Sequence, residues 1–238
     1  MTRCPPQRLQ LLATPPHSCN YLPNRQAINW FVDPSLSLTP EIYAQLVARG
    51  FRRSGEFVYR PACPDCTACV PVRVPVSSFR PRRWAQRNLR ENSDLTVTHH
   101  DQGIDQETLE LYRHYQKTRH AGGEMEYESA DELERFFYSD WMETVTLKWR
   151  LGSRLVAVAI VDRLPEALSA VYTFFDPAHS KRGLGTHAVL QEIQLAAREH
   201  RQWLYLGYWI EQCDKMRYKS RFRPFEAFVD EKWRLFDP

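Results

Sequence analysis

Leu155-Val-Ala-Val-Ala-Ile-Val161, Leu168-Ser-Ala-Val-Tyr-Thr-Phe-Phe175 and Ser180-Lys-Arg-Gly-Leu-Gly-Thr186 decide how this chain folds. The first run is set off by Gly152-Ser153 and Pro165, and the second stops at Asp176-Pro177. Both are short, rich in β-branched and aromatic residues and bounded by turn formers, which predicts two adjacent antiparallel strands. The glycine loop leads into a helix to about His200, with Val189, Ile193 and Ala196/Ala197 at helical spacing. Trp203–Trp209 reads as a further strand, followed by the basic-aromatic segment Lys215–Pro224. A strand, a glycine loop and a helix in this order place free backbone N–H groups and a positive helix end at one point, which attracts phosphate or carboxylate. A tight turn would give the same spelling.

Outward from this stretch, Val145–Trp149 opens the hairpin into Leu155–Val161. Leu95–His99 alternates like a strand, and Gln106–Arg119 reads as a helix with Leu109, Tyr112 and Gln116 on one side. A second helix begins at the capping-box pair Ser129 and Glu132. A final strand is expected near Phe225–Val229. The order is that of an α+β domain over residues 93–238, preceded by a proline-, cysteine- and arginine-rich domain over 1–92. In the latter, Thr39 as N-cap, Pro40 at the first helical position and Gly50 as the stop frame a helix over Glu41–Arg49. Gly55–Arg60 reads as a strand.

The chain has 238 residues, enough to bury a sizeable core, and a net charge of +3, too small to imply general stickiness for polyanions. The charge is concentrated instead. Phe79–Arg90 carries Arg80, Arg82, Arg83, Arg87 and Arg90, and the C-terminal segment alternates Lys215, Arg217, Lys219, Arg221 and Arg223 with aromatics. Such patches suit phosphate contacts, although a charge cluster is more often a solvated helix face. No apolar run is as long as a membrane span and the start lacks a signal-peptide core, so a cytoplasmic protein without a membrane partner is expected. In that compartment the Cys63-x-x-Cys66-x-x-Cys69 run implies metal or cluster ligation rather than disulfides. Cys19 is the candidate fourth ligand, with His17 as alternate. A structural zinc ion or an iron–sulfur cluster is expected, and no organic cofactor.

The element order, with its glycine loop after the fourth strand, resembles the Gcn5-related N-acetyltransferase (GNAT) fold. Ser180 stands where that family's loop usually has Arg or Gln. Three further motifs cover nearly the whole chain: His-x-Cys-x-Tyr-Leu-Pro at His17–Pro23, Arg-Pro-x-Cys-x-x-Cys-x-x-Cys-Val-Pro-Val-Arg at Arg60–Arg73, and Tyr-Leu-Gly-Tyr-Trp-Ile-x-x-Cys-x-Lys-Met-x-Tyr-Lys at Tyr205–Lys219. In that order they resemble the bacterial aspartate/glutamate leucyltransferases, relatives of the eukaryotic arginyl-tRNA–protein transferases. The resemblance implies transfer of leucine from leucyl-tRNA to proteins beginning with Asp or Glu, marking them for degradation. Against the relatives' cysteine pattern, Cys19 matches the first cysteine, Leu22 replaces the second and Cys69 matches the later pair.

Such a reaction needs a base or orienter, a cation for the acidic acceptor and contacts to tRNA. Asp176, at the end of a strand and within a Tyr-x-Phe-Phe-Asp-Pro motif shared with the arginyl relatives, is the first catalytic candidate, with His120 and Tyr172. Arg73, Lys181, Arg182, Lys215 and Arg217 are candidates for substrate binding, with the loop at Gly183 and Gly185 holding a terminal phosphate. Arg80, Arg82, Arg83, Arg87, Arg90 and Lys219 are candidates for tRNA contacts. Three alternatives stand beside leucyl transfer: arginyl transfer, acetyl-coenzyme A-dependent N-acetylation, and a metal-containing nucleic-acid-binding module without catalysis.

Overall fold

The structure, a computed structural model, describes residues 9–101, 103–119 and 129–237. In chain order the first elements are β1 (Leu11–Ala13), β2 (His17–Ser18), β3 (Gln26–Ala27), β4 (Asn29–Val32), α1 (Pro40–Val47), β5 (Arg52–Ser54), β6 (Phe57–Pro61), β7 (Val70–Pro75) and α2 (Arg83–Glu91). Then come β8 (Leu95–His100), α3 (Gln106–Arg119), α4 (Ala130–Phe137), β9 (Thr144–Leu151), β10 (Arg154–Leu164) and β11 (Ala167–Phe175). The last are α5 (Leu184–Arg198), β12 (Trp203–Trp209), α6 (Asp214–Arg217), β13 (Phe225–Val229) and β14 (Lys232–Phe236).

Local signals placed several of these elements. Thr39 accepts a hydrogen bond from the Ile42 N–H and caps α1, and Ser129 and Glu132 form both bonds of a capping box on α4. β10 reads as an unbroken apolar run because both of its faces are covered. Ala157, Ala159 and Val161 face the layer of α5, whereas Val158 and Ile160 face that of α3 and α4. On the second face Phe137 stacks on Phe174 with ring centroids 5.8 Å apart, and Tyr112 meets Phe174 edge-on at 5.3 Å.

These strands form a mixed eight-stranded sheet in the order β14-β13-β7-β12-β11-β10-β9-β8. Only β11 and β12 run parallel, and β14, absent from the sequence reading, pairs with β13. A smaller antiparallel sheet, β1-β4-β6-β5, packs with α1 beside it. The boundary expected at residue 92 does not divide the large sheet. β7 belongs to the first segment, yet its backbone bonds both β12 and β13.

A buried ion pair ties the two sheets together. Arg53 of β5 donates from Nε to Asp162 of β10 at 2.7 Å, and both side chains are fully buried. Thr144 of β9 donates to the same carboxylate at 2.8 Å and accepts from Arg53 at 3.1 Å. Removing one partner of such a pair strands a charge where water cannot reach it. Asp162→Asn is therefore expected to cost about 3–5 kcal/mol in urea unfolding. Replacing both residues with apolar ones of similar volume should cost far less. A loss below about 1 kcal/mol in the single variant would show that the pair does not hold the sheets together.

Candidate active site

Three features meet at the C-terminal end of β11. The first is the acidic turn. Asp176 is almost fully buried, and its carboxylate accepts the Ala178 N–H at 2.9 Å and an Arg154 guanidinium hydrogen bond at 2.6 Å. His114 of α3 and His179 approach it at 3.7 and 4.0 Å. Asp176 is thus an occupied anchor. Tyr172, Phe174 and Asp176 alternate along β11 toward α3, and the Tyr172 hydroxyl accepts from Gln116 at 3.2 Å.

The second feature is the glycine loop. Gly183 has φ of +62°, which favours glycine, and a side chain there would meet the Asn88 amide at 3.1 Å. A side chain at Gly185 would press on the Phe175 ring at 3.4 Å. Asn88 donates to the carbonyls of Arg182 and Gly183, and Asn92 donates to that of Arg182. The loop carbonyls are thereby held toward α2, and the first-turn N–H groups of α5 receive no side-chain cap. His187, buried behind the loop, has its pKa lowered to about 4 by loss of hydration and then by the nearby Arg182 charge.

The third is an opening between strands. β11 and β12 pair only from Ala167 to Ser169 against Trp203 to Tyr205, and then part. Arg52 enters the opening and donates to the carbonyls of Ala170 and Val171 at 2.9 and 3.0 Å. Gly207, with φ of +73°, makes this possible, since any side chain there would collide with the guanidinium.

The basic segments converge beside these features. α2 is fastened to the loop through Asn88 and Asn92, with Arg80, Arg82, Arg83, Arg87 and Arg90 exposed. Arg221 lies over the Trp84 ring at 4.8 Å, and Trp84 meets Phe222 edge-on, so the C-terminal segment joins the same surface. Lys181, Lys215 and Arg217 are exposed, with Arg217 paired to Asp214. Arg182 is bonded to Asp94.

The family described as "Arginine-tRNA-protein transferase, N terminus" matches residues 17–87, and "Arginine-tRNA-protein transferase, C terminus" matches residues 107–229. The aspartate/glutamate leucyltransferase of Pseudomonas putida strain F1 is 46% identical over 226 residues, covering 95% of this chain and 96% of the relative. That of Saccharophagus degradans is 45% identical over 229 residues, covering 96% and 97%. The chain belongs to this transferase family. It is an aminoacyltransferase. Among solved structures it is similar to a tandem GNAT protein of the clavulanic acid biosynthesis pathway, at 13% identity and TM-score 0.45, over 90% of this chain and 60% of that one. It is also similar to the C-terminal domain of a putative lysylphosphatidylglycerol synthetase from Agrobacterium fabrum, at 10% identity and TM-score 0.47, over 72% of this chain and about half (52%) of that one.

Not every candidate of this aminoacyltransferase reaches the site. Arg73 is buried between the rings of Trp203 and Trp233, each 4.2 Å away, and is bonded to Glu226 and to the Tyr205 hydroxyl. It is a structural cation, not one waiting for substrate. Lys219 is buried and donates to the Tyr208 carbonyl at 2.7 Å, which removes it from any phosphate surface. His120 lies outside the described residues. Cys19, Cys63 and Cys66 gather near Cys69, whose thiol is pushed up to about 12 by burial and then by these neighbours and Cys213. Among the described residues, however, no three His, Cys, Asp or Glu side chains are arranged to hold a metal ion. The Cys19 sulfur accepts the Leu22 N–H, and the Cys63 thiol turns to the Ile28 carbonyl. As placed, two of these thiols are engaged with backbone groups.

Sequence reasoning passed over Arg52, Arg154 and Glu192. For Glu192 a signal existed, because it stands four residues from Ala188 and from Ala196 on the buried face of α5.

His187 gives a pH test. An unfolded imidazole takes up a proton near pH 6.5, whereas the buried one does so only near pH 4, so stability falls as pH drops through that window. The loss should be roughly 3 kcal/mol. His187→Phe, which keeps a ring beside Trp149, should flatten that part of the urea-stability profile. An unchanged slope would exclude His187 as its source.

Proposed function

We propose that this enzyme moves leucine from leucyl-tRNA onto the α-amine of proteins that begin with aspartate or glutamate. The observation that carries the reading is the match, over nearly the full length of both chains, to relatives named aspartate/glutamate leucyltransferase. The geometry suits it. Two basic segments distant in sequence share one surface beside the glycine loop, where the phosphates of a tRNA acceptor end would lie. The exposed arginines of α2, with Lys181 and Arg182, are the proposed tRNA contacts.

The chemistry asks for alignment more than for a covalent nucleophile. An α-amine has a pKa of about 8, so a useful fraction is unprotonated at neutral pH and attacks the ester directly. The C–N bond forms, the bond from the acyl carbon to the ribose oxygen breaks, and one amine proton ends on that oxygen. Asp176 orients this end of the site by fixing Arg154, which is 66% exposed. Arg154 is then a cation for the acceptor carboxylate, with Lys215 and Arg217 as further candidates. Tyr172 lies on β11 toward α3, where its hydroxyl is held by Gln116. The product would carry a bulky N-terminal residue that marks it for degradation, in the cytoplasm where charged tRNA is made. Among the described residues no helix is long and apolar enough to cross a membrane.

Purified protein supplied with charged leucyl-tRNA or arginyl-tRNA, and with peptides beginning Asp, Glu, Lys or Ala, tests the reading. Leucine should appear on the Asp and Glu peptides alone. Arginine in its place would change the donor, and label on the Lys or Ala peptides would sink the acceptor class. No transfer from either tRNA would redirect attention to acetyl-coenzyme A or to simple RNA binding.

Asp176→Asn keeps an oxygen for the Ala178 N–H but releases Arg154. Transfer should drop on the order of 100-fold, with tRNA affinity within about twofold. Unchanged transfer by a folded variant would remove Asp176 from the mechanism.

A further inference from the structure

Glu192 is fully buried in α5, and neither of its carboxyl oxygens has a hydrogen-bond partner among the described residues. Buried polar groups are nearly always paired, so a carboxyl left without a partner calls for an explanation. It shares the buried face of α5 with apolar residues such as Ala188, Leu195 and Ala196, none of which can partner a carboxyl. Burial alone raises its pKa to about 8. In the empty protein the group is therefore mostly protonated and neutral at pH 7.

Its place in the fold says what it faces. α5 starts beside the end of β11, where Gly185 touches Phe175, and runs back along that strand. Glu192 lies eight residues past Leu184, about 12 Å along the helix. That distance is about four residues of strand, which brings it level with Val171 and Tyr172. These residues lie just past the point where β11 and β12 part, next to the carbonyl held by Arg52. Among ionisable groups, Tyr218 feels the Glu192 charge, and Tyr115 of α3 and Arg52 act on the same hydroxyl. Burial alone shifts Glu192, so no neighbouring cation neutralises it. Tyr218 is 36% exposed, and burial and the Glu192 charge both raise its pKa.

We propose that Glu192 receives the α-ammonium of the donor leucyl group, so that the site recognises an aminoacyl ester rather than a plain acyl ester. This rests on the leucyl-transfer reading. The acceptor amine belongs to a protein and must approach from solvent. The donor ammonium is fixed two bonds from the ester carbon and enters the opening with it. A cation arriving beside Glu192 ionises the carboxyl and releases its proton to water, and the pair gains strength from the absence of water. A donor lacking the charge leaves Glu192 unpaired and gains nothing.

The experiment compares leucyl-tRNA with N-acetyl-leucyl-tRNA as donors to an Asp-peptide, using the full chain and Glu192→Gln. Glutamine has the shape of the protonated carboxyl, so the fold should persist, as a thermal melt will show. The unaltered chain should prefer leucyl-tRNA on the order of 100-fold in kcat/KM. Glu192→Gln should lose a similar factor with leucyl-tRNA, change little with N-acetyl-leucyl-tRNA, and so lose the preference. Leucyl transfer kept within about twofold in the variant would overturn the proposal, and so would equal losses with both donors. Equal use of both donors by the unaltered chain would overturn it without any variant. An unaltered chain that transfers no leucine at all overturns the leucyl-transfer reading itself, a distinguishable outcome.

Discussion

Two adjacent arginines of β5 reach into the large sheet, and the rest of the molecule is arranged around them. Successive residues of a strand point in opposite directions, so Arg52 and Arg53 serve different ends. Arg53 pairs with Asp162 and Thr144 and fixes the small sheet to β9 and β10. Arg52 goes into the opening between β11 and β12 and satisfies two strand carbonyls that would otherwise lack partners. A strand three residues long thus joins the two sheets and shapes the site.

The opening exists because β12 stops following β11. A parallel neighbour would normally continue the ladder, but the strands keep register for only three residues. On its other side β12 is irregular against β7 between Tyr205 and Gly207, which suits Gly207 to the approach of Arg52. The glycine loop, the acidic turn at Asp176 and the floor formed by α5 all border this opening. Backbone pairing is given up here, and a side chain supplies the missing partners.

Burial sets the charge state of the groups beneath the site. His187 is held neutral by loss of hydration with a cation nearby, and Glu192 by loss of hydration alone. The cations seen from outside are paired or exposed according to their element. Arg154 and the arginines of α2 face solvent, whereas Arg73 and Lys219 are spent within the fold. Positive charge along the sequence is a poor guide to positive charge on the surface.

The sequence by itself determined what local physics can encode. The apolar runs of β10 and β11, the Thr39 cap of α1, the capping box of α4 and the glycine loop before α5 each follow from a few neighbouring residues with fixed spacing or dihedral needs. The three motifs likewise placed the chain in its family. Only the tertiary structure decided that β7 crosses into the large sheet, that Asp176 is already engaged, and that Arg73 and Lys219 turn inward. Only it showed that the four thiols gather without converging among the described residues, and that Glu192 lies buried without a hydrogen-bond partner there. The physical reason is one of range. Periodicity and capping are settled within a few residues, whereas the partner of a charge is settled by segments that meet only once the chain has folded.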